Sequence, residues 1–337
     1  MRYTGPMKRV AINGFGRIGR AVTRVLLQKF PDIEIVAIND LAPNETLLHL
    51  MKYDTIMGKY REDLFLEGDT LHTQGQKIQL LEERNPSQLP WKSLQIDCVL
   101  ECTGIFTTKD KAKQHVDAGA KKVILSAPPK DTWDKMIVMG VNDDLLENKD
   151  TFISNASCTT NCLAHVAKVI HENFTIENSY MTTVHAYTND QNVLDVAHSD
   201  LRRARAAGQN IIPTTTGAAS AVAKVLPALK GKIDGSAIRV PVANGSLVDF
   251  HAVIKKPVSV DSINAAFMRY ADQNPNYMSV CSDPIVSSDI IGMSQSSIVD
   301  QELTYCQDNL IRVVAWYDNE WGYSNRLAEL CHKTFEL

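Results

Sequence analysis

Long apolar runs are absent from this chain of 337 residues. No stretch reaches the roughly 20 apolar residues that a membrane-crossing helix needs, and the opening MRYTGPMKRV lacks the apolar core of a signal peptide. Neither membrane passage nor export is therefore expected. Excess charge of one sign is missing too. With a net charge of −4 and a pI of about 6.1, neither nucleic acid nor an anionic membrane is expected as a primary partner. A disulfide framework is also missing, because the seven cysteines (98, 102, 158, 162, 281, 306 and 331) are an odd number without framework spacing. That favours a reducing, cytoplasmic setting. No metal is expected, since Cys158 and Cys162 have no second pair at zinc-ligand spacing. Repeats and low-complexity segments are lacking. Met7 stands directly before the first strand pattern, so residues 1–6 are expected to be an upstream extension.

What remains is globular material, 44% hydrophobic and 22% charged, long enough for two domains. In the first half, strand and helix patterns alternate. KRVAING, IEIVAIND, KIQLL, IDCVLECTG, KKVILSAP, MIVMGVN and TFISN read as strands, and GRAVTRVLLQKF and KDKAKQHVDAGA as helices. Apolar strands separated by helices predict an α/β, doubly wound parallel sheet. Past residue 157 a helix over roughly 159–173 is expected, followed by MTTVHAYT, a long polar loop, the helix GAASAVAKVL and extended strands. SAIRVPV, SLVDFHAVIKK and LIRVVAWYD predict an α+β domain with a mostly antiparallel sheet. The expected divisions are 1–157, 158–319 and a closing helix within 320–337.

Residues 12–20, INGFGRIGR, place Gly14, Gly16 and Gly19 between a strand and a helix. The first glycine suits a tight turn, the second admits a pyrophosphate, and the third lets helix and strand pack closely. A structural turn would explain the glycines alone. The acid Asp40, at the end of the next strand, favours a dinucleotide, with its carboxylate on the ribose hydroxyls. That carboxylate would repel the 2′-phosphate of NADP, so NAD is the expected cofactor.

SNASCTTNC, residues 154–162, sets Cys158 where a β-branched run ends and a helix begins. Unpaired N–H groups of a first helical turn would stabilise a thiolate and lower its pKa. Cys162 is expected to be a small buried hydrophobe. A nucleophilic thiol usually needs a base. His185, at the end of MTTVH, is the candidate, with a hydrogen-bonded structural histidine as the alternative. His49, His115 and His332 read as helix-surface residues. The run DLRRARAA reads as a solvated face or an anion site beside IIPTTTGAA, where Thr214–Thr216 and Gly217 open a helix. Arg239, inside an apolar strand, needs an anionic partner or a structural ion pair.

Together AINGFGRIGR, SNASCTTN, TVHAYTNDQ, LRRARAA, IIPTTTGAA, IRVP, SSIVD and WYDNEWGY resemble the phosphorylating glyceraldehyde-3-phosphate dehydrogenase family over nearly the whole chain. The resemblance implies NAD-dependent oxidation of glyceraldehyde 3-phosphate to 1,3-bisphosphoglycerate with inorganic phosphate, a step of glycolysis and gluconeogenesis. Cys158 would form a thiohemiacetal and then a thioester, and His185 would raise the thiolate fraction and take the hydroxyl proton. Thr188 and Arg239 would hold the substrate phosphate, and Ser157, Thr159, Arg203, Thr216 and Gly217 the attacking phosphate. Arg17 and Ile18 would lie at the pyrophosphate, and Arg84, Thr103 and Ser126 along the dinucleotide. Asn319 would fix the carboxamide, with Tyr323 near the ring. The last helix would return to the nucleotide domain, and a homotetramer is implied.

Two departures from the family pattern stand out. Val196-Ala197 replaces a common Leu-Pro beside the adenosine pocket of a neighbouring subunit, which bears on NAD against NADP. RVPVANGS replaces RVPTPNVS after Arg239. Erythrose-4-phosphate dehydrogenase and a non-catalytic NAD-binding interaction protein are the rival readings.

Overall fold

The computed structural model describes residues 7–337, so the expected upstream extension, residues 1–6, lies outside the described residues. The chain divides into two compact units. The first runs to Ile137 and adds Asp144–Ala156 and Ser324–Leu337, while the second holds Val138–Asp143 and Ser157–Tyr323.

In the first unit the order begins β1 (Lys8–Asn13), α1 (Arg17–Lys29), β2 (Ile33–Asn39) and α2 (Asn44–Lys52). It continues with β3 (Leu64–Glu67), β4 (Thr70–Thr73), β5 (Gln76–Leu81), β6 (Cys98–Glu101) and α3 (Lys109–Asp117). β7 (Lys122–Leu125), β8 (Lys135–Met136) and β9 (Phe152–Ser154) complete the sheet. Its strand order is β3-β4-β5-β2-β1-β6-β7-β9-β8. All pairings are parallel except the β3–β4–β5 meander at one edge. The central strands are apolar on both faces, with Val10, Ala11 and Ile12 fully buried, as a sheet covered by helices requires.

Two expectations need correcting here. MIVMGVN forms a strand only at its start. From Val138 the chain turns, with Val138 N–H donating to Asn142 Oδ1 (2.8 Å) and Gly140 at φ 79° against the Tyr277 ring. His115 is fully buried rather than on the helix surface. Trp91 Nε1–H donates to its Nδ1 (3.0 Å), so Nε2–H faces Glu101 Oε2 at 3.1 Å. A charge pattern on a short helix gave no sign of that buried partner.

The second unit opens with α4 (Cys158–Phe174), β10 (Ile176–Ala186), β11 (Ile212–Thr215) and α5 (Ala218–Val225). β12 (Ile233–Val240), β13 (Ser246–Ile254) and α6 (Val260–Gln273) follow, then β14 (Met278–Cys281), β15 (Ser297–Gln307) and β16 (Leu310–Tyr317). The sheet order is β11-β12-β10-β13-β16-β15-β14. Four of its pairings are antiparallel, while β10–β12 and β14–β15 are parallel. α4 packs its apolar stripe, including Leu163, Val166 and Ile170, against this sheet and against α5 and α6. The last helix, α7 (Trp321–Lys333), starts after Asp318, whose Oδ1 accepts from the N–H groups of Glu320 and Trp321. Such a cap satisfies donors left open at a helix start.

Candidate active site

Ser157 caps α4, its hydroxyl accepting from Thr160 N–H at 3.0 Å. Ala156, just before it, is buried at φ 55°, a left-handed conformation that costs an L-residue about 1–3 kcal/mol. This turn makes Cys158 the first residue of the helix, half-buried, with its sulfur 3.4 Å from His185 Nε2. His185 comes from the end of β10. Arg239 is its register partner on β12, so the parallel ladder sets the two side by side.

The hydrogen bonds fix the imidazole tautomer. The Ala186 carbonyl, 2.6 Å from His185 Nδ1, can only accept, so Nδ1 carries the proton. Arg239 Nη1 donates to the same carbonyl (3.0 Å) and to Thr188 Oγ1 (2.9 Å), and stands 3.1 Å from Nδ1. The lone pair of Nε2 therefore faces the sulfur. Burial, then the Arg239 charge, pushes the imidazole down to about 4.

The thiol departs from expectation. Burial pushes Cys158 above its ordinary value, and this outweighs the Arg239 charge and the hydrogen bonds from Thr159 and its own N–H that pull it down. The helix start does act on the sulfur, but enclosure by protein atoms acts more strongly. Both shifts favour uncharged partners, a thiol facing a neutral imidazole, rather than a standing ion pair.

The other expected anion ligands cluster unevenly. Arg203 Nε donates to Thr214 Oγ1 (2.9 Å), Nη2 to the Thr215 carbonyl (3.0 Å), and Nη1 to Asp190 Oδ2 (2.7 Å). Asp190 also accepts from the Thr188 hydroxyl, so one carboxylate links Thr188 to Arg203. Burial works against that charge, yet the Thr188 hydroxyl with Arg239 and Arg203 holds the carboxyl below its ordinary range. Thr216 Oγ1 accepts from Ala218 N–H (3.2 Å), and Gly217 opens α5 with no side-chain cap. The Thr159 hydroxyl is buried against Tyr317. Asn319 is oriented by Ser246, whose hydroxyl donates to its Oδ1 at 2.8 Å, and Tyr323 is buried.

In the first unit the glycine turn fits a dinucleotide. Gly14 sits at φ 92°, where a Cβ would come 2.7 Å from Thr103 N. A Cβ on Gly19 would lie 2.1 Å from the Gly14 carbonyl oxygen, whereas one on Gly16 would meet nothing within 4 Å. The first turn of α1 has neither a side-chain cap nor an acid, the setting in which a helix start favours an anion. Asp40 accepts from Phe15 N–H (2.7 Å) and Ala42 N–H (3.0 Å), which orients its carboxylate. Arg17 is paired with Asp54, Ile18 is half-buried and Arg84 is exposed. Thr103 leans on Glu101, and Ser126 bonds the Cys102 thiol.

Residues 8–109 match the family model described as glyceraldehyde 3-phosphate dehydrogenase, NAD binding domain, and residues 157–319 match the C-terminal domain of the same family. A curated relative, glyceraldehyde-3-phosphate dehydrogenase 2 of Streptomyces avermitilis, is 53% identical over 325 residues, 96% of this chain and 97% of its own. The chain belongs to the glyceraldehyde-3-phosphate dehydrogenase family. The relatives of that name in Streptomyces coelicolor and Mycobacterium avium are each 54% identical, over 326 and 329 residues, again covering 96% of this chain and 97% of theirs. The chain is thus an NAD-dependent oxidoreductase of α/β architecture, with a Rossmann-type domain and a mixed, mostly antiparallel second sheet.

Sequence reasoning missed three residues that shape this site. Tyr317 and Ser246 read as interior strand residues, and nothing in their spacing marks a polar role. Gly245 accounts for one position of RVPVANGS, while Val242 and Ala243 have no structural explanation. Gly245 lies at φ 86°, where a Cβ would come 2.2 Å from the Ser287 carbonyl oxygen, and its neighbour Asn244 donates to Asp318 Oδ1 at 2.8 Å.

Proposed function

We propose that this chain oxidises glyceraldehyde 3-phosphate with inorganic phosphate to 1,3-bisphosphoglycerate, through Cys158 as nucleophile and His185 as base. The observation that carries the reading is the 3.4 Å approach of sulfur and Nε2 beside Arg239. The sulfur attacks the aldehyde carbon, its proton passing to Nε2 and on to the aldehyde oxygen, which gives a thiohemiacetal on Cys158. His185 then takes the hydroxyl proton as a hydride leaves the carbon. Bound NAD supplies the acceptor for that hydride. A phosphate oxygen attacks the resulting thioester, the carbon–sulfur bond breaks, and the acyl phosphate departs. Cysteine suits this sequence because a thioester conserves oxidation energy that an oxygen ester would lose.

Thr188 and Arg239 are assigned to the substrate phosphate, and Ser157, Thr159, Arg203, Thr216 and Gly217 to the attacking one. The N–H groups of Arg17 and Ile18 are assigned to the pyrophosphate, Asp40 to the ribose, Arg84, Thr103 and Ser126 to the rest of the dinucleotide path, and Asn319 and Tyr323 to the nicotinamide. Self-association, as the homotetramer the resemblance implied, is supported by the exposure of four large apolar side chains, Val193, Leu194, Leu201 and Ile211, in the one loop between β10 and β11. Seven free cysteines support a reducing cytoplasm, and among the described residues no helix is long and apolar enough to cross a membrane.

The test is NADH absorbance with glyceraldehyde 3-phosphate, with and without phosphate. Turnover should require both. The substrate should be preferred over erythrose 4-phosphate by at least about tenfold in kcat/KM, the scale of one misplaced hydrogen bond. A ratio near one or reversed moves the chain to the rival activity.

A further inference from the structure

Tyr317 is fully enclosed at the end of β16 and has no part in the chemistry described so far. Its hydroxyl oxygen lies 2.8 Å from Thr159 Oγ1 and 2.9 Å from Thr183 Oγ1. Thr159 directly follows the nucleophile in the first turn of α4. Thr183 precedes His185 by two residues on β10, hence on the same side of the strand. The Tyr317 ring meets the His185 ring edge to face, with centroids 5.9 Å apart and planes at 72°.

The protons in this cluster can be assigned. Thr183 donates its single hydroxyl proton to the Leu247 carbonyl at 3.0 Å, so towards Tyr317 it accepts. The phenol therefore donates to Thr183, and its oxygen accepts from Thr159. Both bonds of the phenol are used, and they join the two elements that carry the reacting pair. We propose that Tyr317 is a positioning residue, whose hydroxyl ties the first turn of α4 to β10 and so holds the Cys158 sulfur at its working distance from His185. The inference rests on Cys158 and His185 being the reacting pair.

Burial keeps the phenol protonated, its pKa pushed well above the ordinary value, so it serves as a fixed tether and not as a base. Its loss would leave two buried threonine hydroxyls each short of a partner. It would also free the Thr159 hydroxyl proton to turn from the phenol to the neighbouring Cys158 sulfur. Small errors in the placement of reacting groups are costly, up to about 100-fold for 1 Å.

Tyr317→Phe removes one oxygen and keeps the ring. Four quantities should be measured on the full chain: iodoacetamide labelling rate at Cys158, kcat and KM with glyceraldehyde 3-phosphate, and NAD affinity. The labelling rate and kcat should each fall about tenfold or more. KM and NAD affinity should stay within about twofold. Thr183→Val, which removes the β10 anchor, should act in the same direction, and Thr183→Ser, which keeps the hydroxyl, should match wild type. Wild-type labelling and kcat in Tyr317→Phe would overturn the proposal, as would a loss shared equally by kcat, KM and NAD affinity. Should Tyr317→Phe fail to fold, Thr183→Val decides by the same readouts. Slower labelling in a chain that never turns over the aldehyde would uphold the tether and reject the proposed activity.

Discussion

His185 and Arg239 are register partners on the parallel ladder of β10 and β12, and both donate to one carbonyl, that of Ala186. A permanent cation 3.1 Å from Nδ1 makes a second charge on the imidazole expensive, which is one reason its pKa falls to about 4. The same arginine is aimed at Thr188. An anion seated on that pair would offset the guanidinium charge and let the histidine hold a proton more readily. Substrate binding and base strength are thereby linked through one side chain.

Arg239→Ala should therefore lose about 10–100-fold in kcat/KM for glyceraldehyde 3-phosphate, the worth of a charge-assisted hydrogen bond. Thr188→Ala should lose less. Unphosphorylated glyceraldehyde, which lacks the anion, should be much less affected. Steady-state kinetics on both aldehydes checks this, and equal losses on the two would remove Arg239 from the phosphate site.

Acid stability should report on His185. Its folded pKa of about 4 lies below the ordinary 6.5, so between these values the unfolded chain binds a proton that the fold refuses. The stability this group contributes is complete above pH 6.5 and lost as pH falls to 4, about 3 kcal/mol in all. In His185→Asn the difference in urea-unfolding free energy between pH 7 and pH 4 should shrink by about that amount. An unchanged difference would mean the histidine is not buried as described.

Cys158→Ala should abolish turnover while NAD binding and folding remain. Substoichiometric iodoacetamide, followed by peptide mapping, should place the label on Cys158. Cys162 should stay unlabelled because it is fully buried and its thiol is pushed up to about 12. Label mainly on Cys162 or Cys281 would contradict the assignment of the nucleophile.

Asp40→Ala should weaken NAD binding and narrow the gap to NADP, since the carboxylate both accepts from ribose hydroxyls and repels a 2′-phosphate. Titration of each dinucleotide against wild type and variant checks this. Equal wild-type use of both would instead direct attention to Val196-Ala197.

The sequence made much of this site legible because its signals are local. Serine before cysteine at a helix start, glycines between strand and helix, and an arginine inside an apolar strand each carry a physical meaning without any partner in view. What it hid depends on contacts distant along the chain. His115 looked exposed because Glu101 and Trp91 reach it from other elements. The raised thiol of Cys158 follows from enclosure, which no short motif encodes. MIVMGVN has strand composition throughout, yet the turn closed by Asn142 and the Tyr277 packing against Gly140 override that propensity after two residues. Tyr317 sits in a strand whose apolar pattern is complete without its hydroxyl.

One topological choice has an effect on chain length. A two-residue hairpin can join antiparallel neighbours, but parallel ones need a crossover of a dozen residues or more. Because β10 and β12 run the same way, the chain must travel from Ala186 back to Ile233 before β12 can pair alongside β10. That detour contains Thr188, Asp190, Arg203, Thr216 and Gly217. The long polar loop lies within this detour, ahead of β11 and α5. The detour is the return path that strand direction requires, and Arg203, Thr216 and Gly217, the ligands assigned to the attacking phosphate beyond α4 and its cap, lie along it.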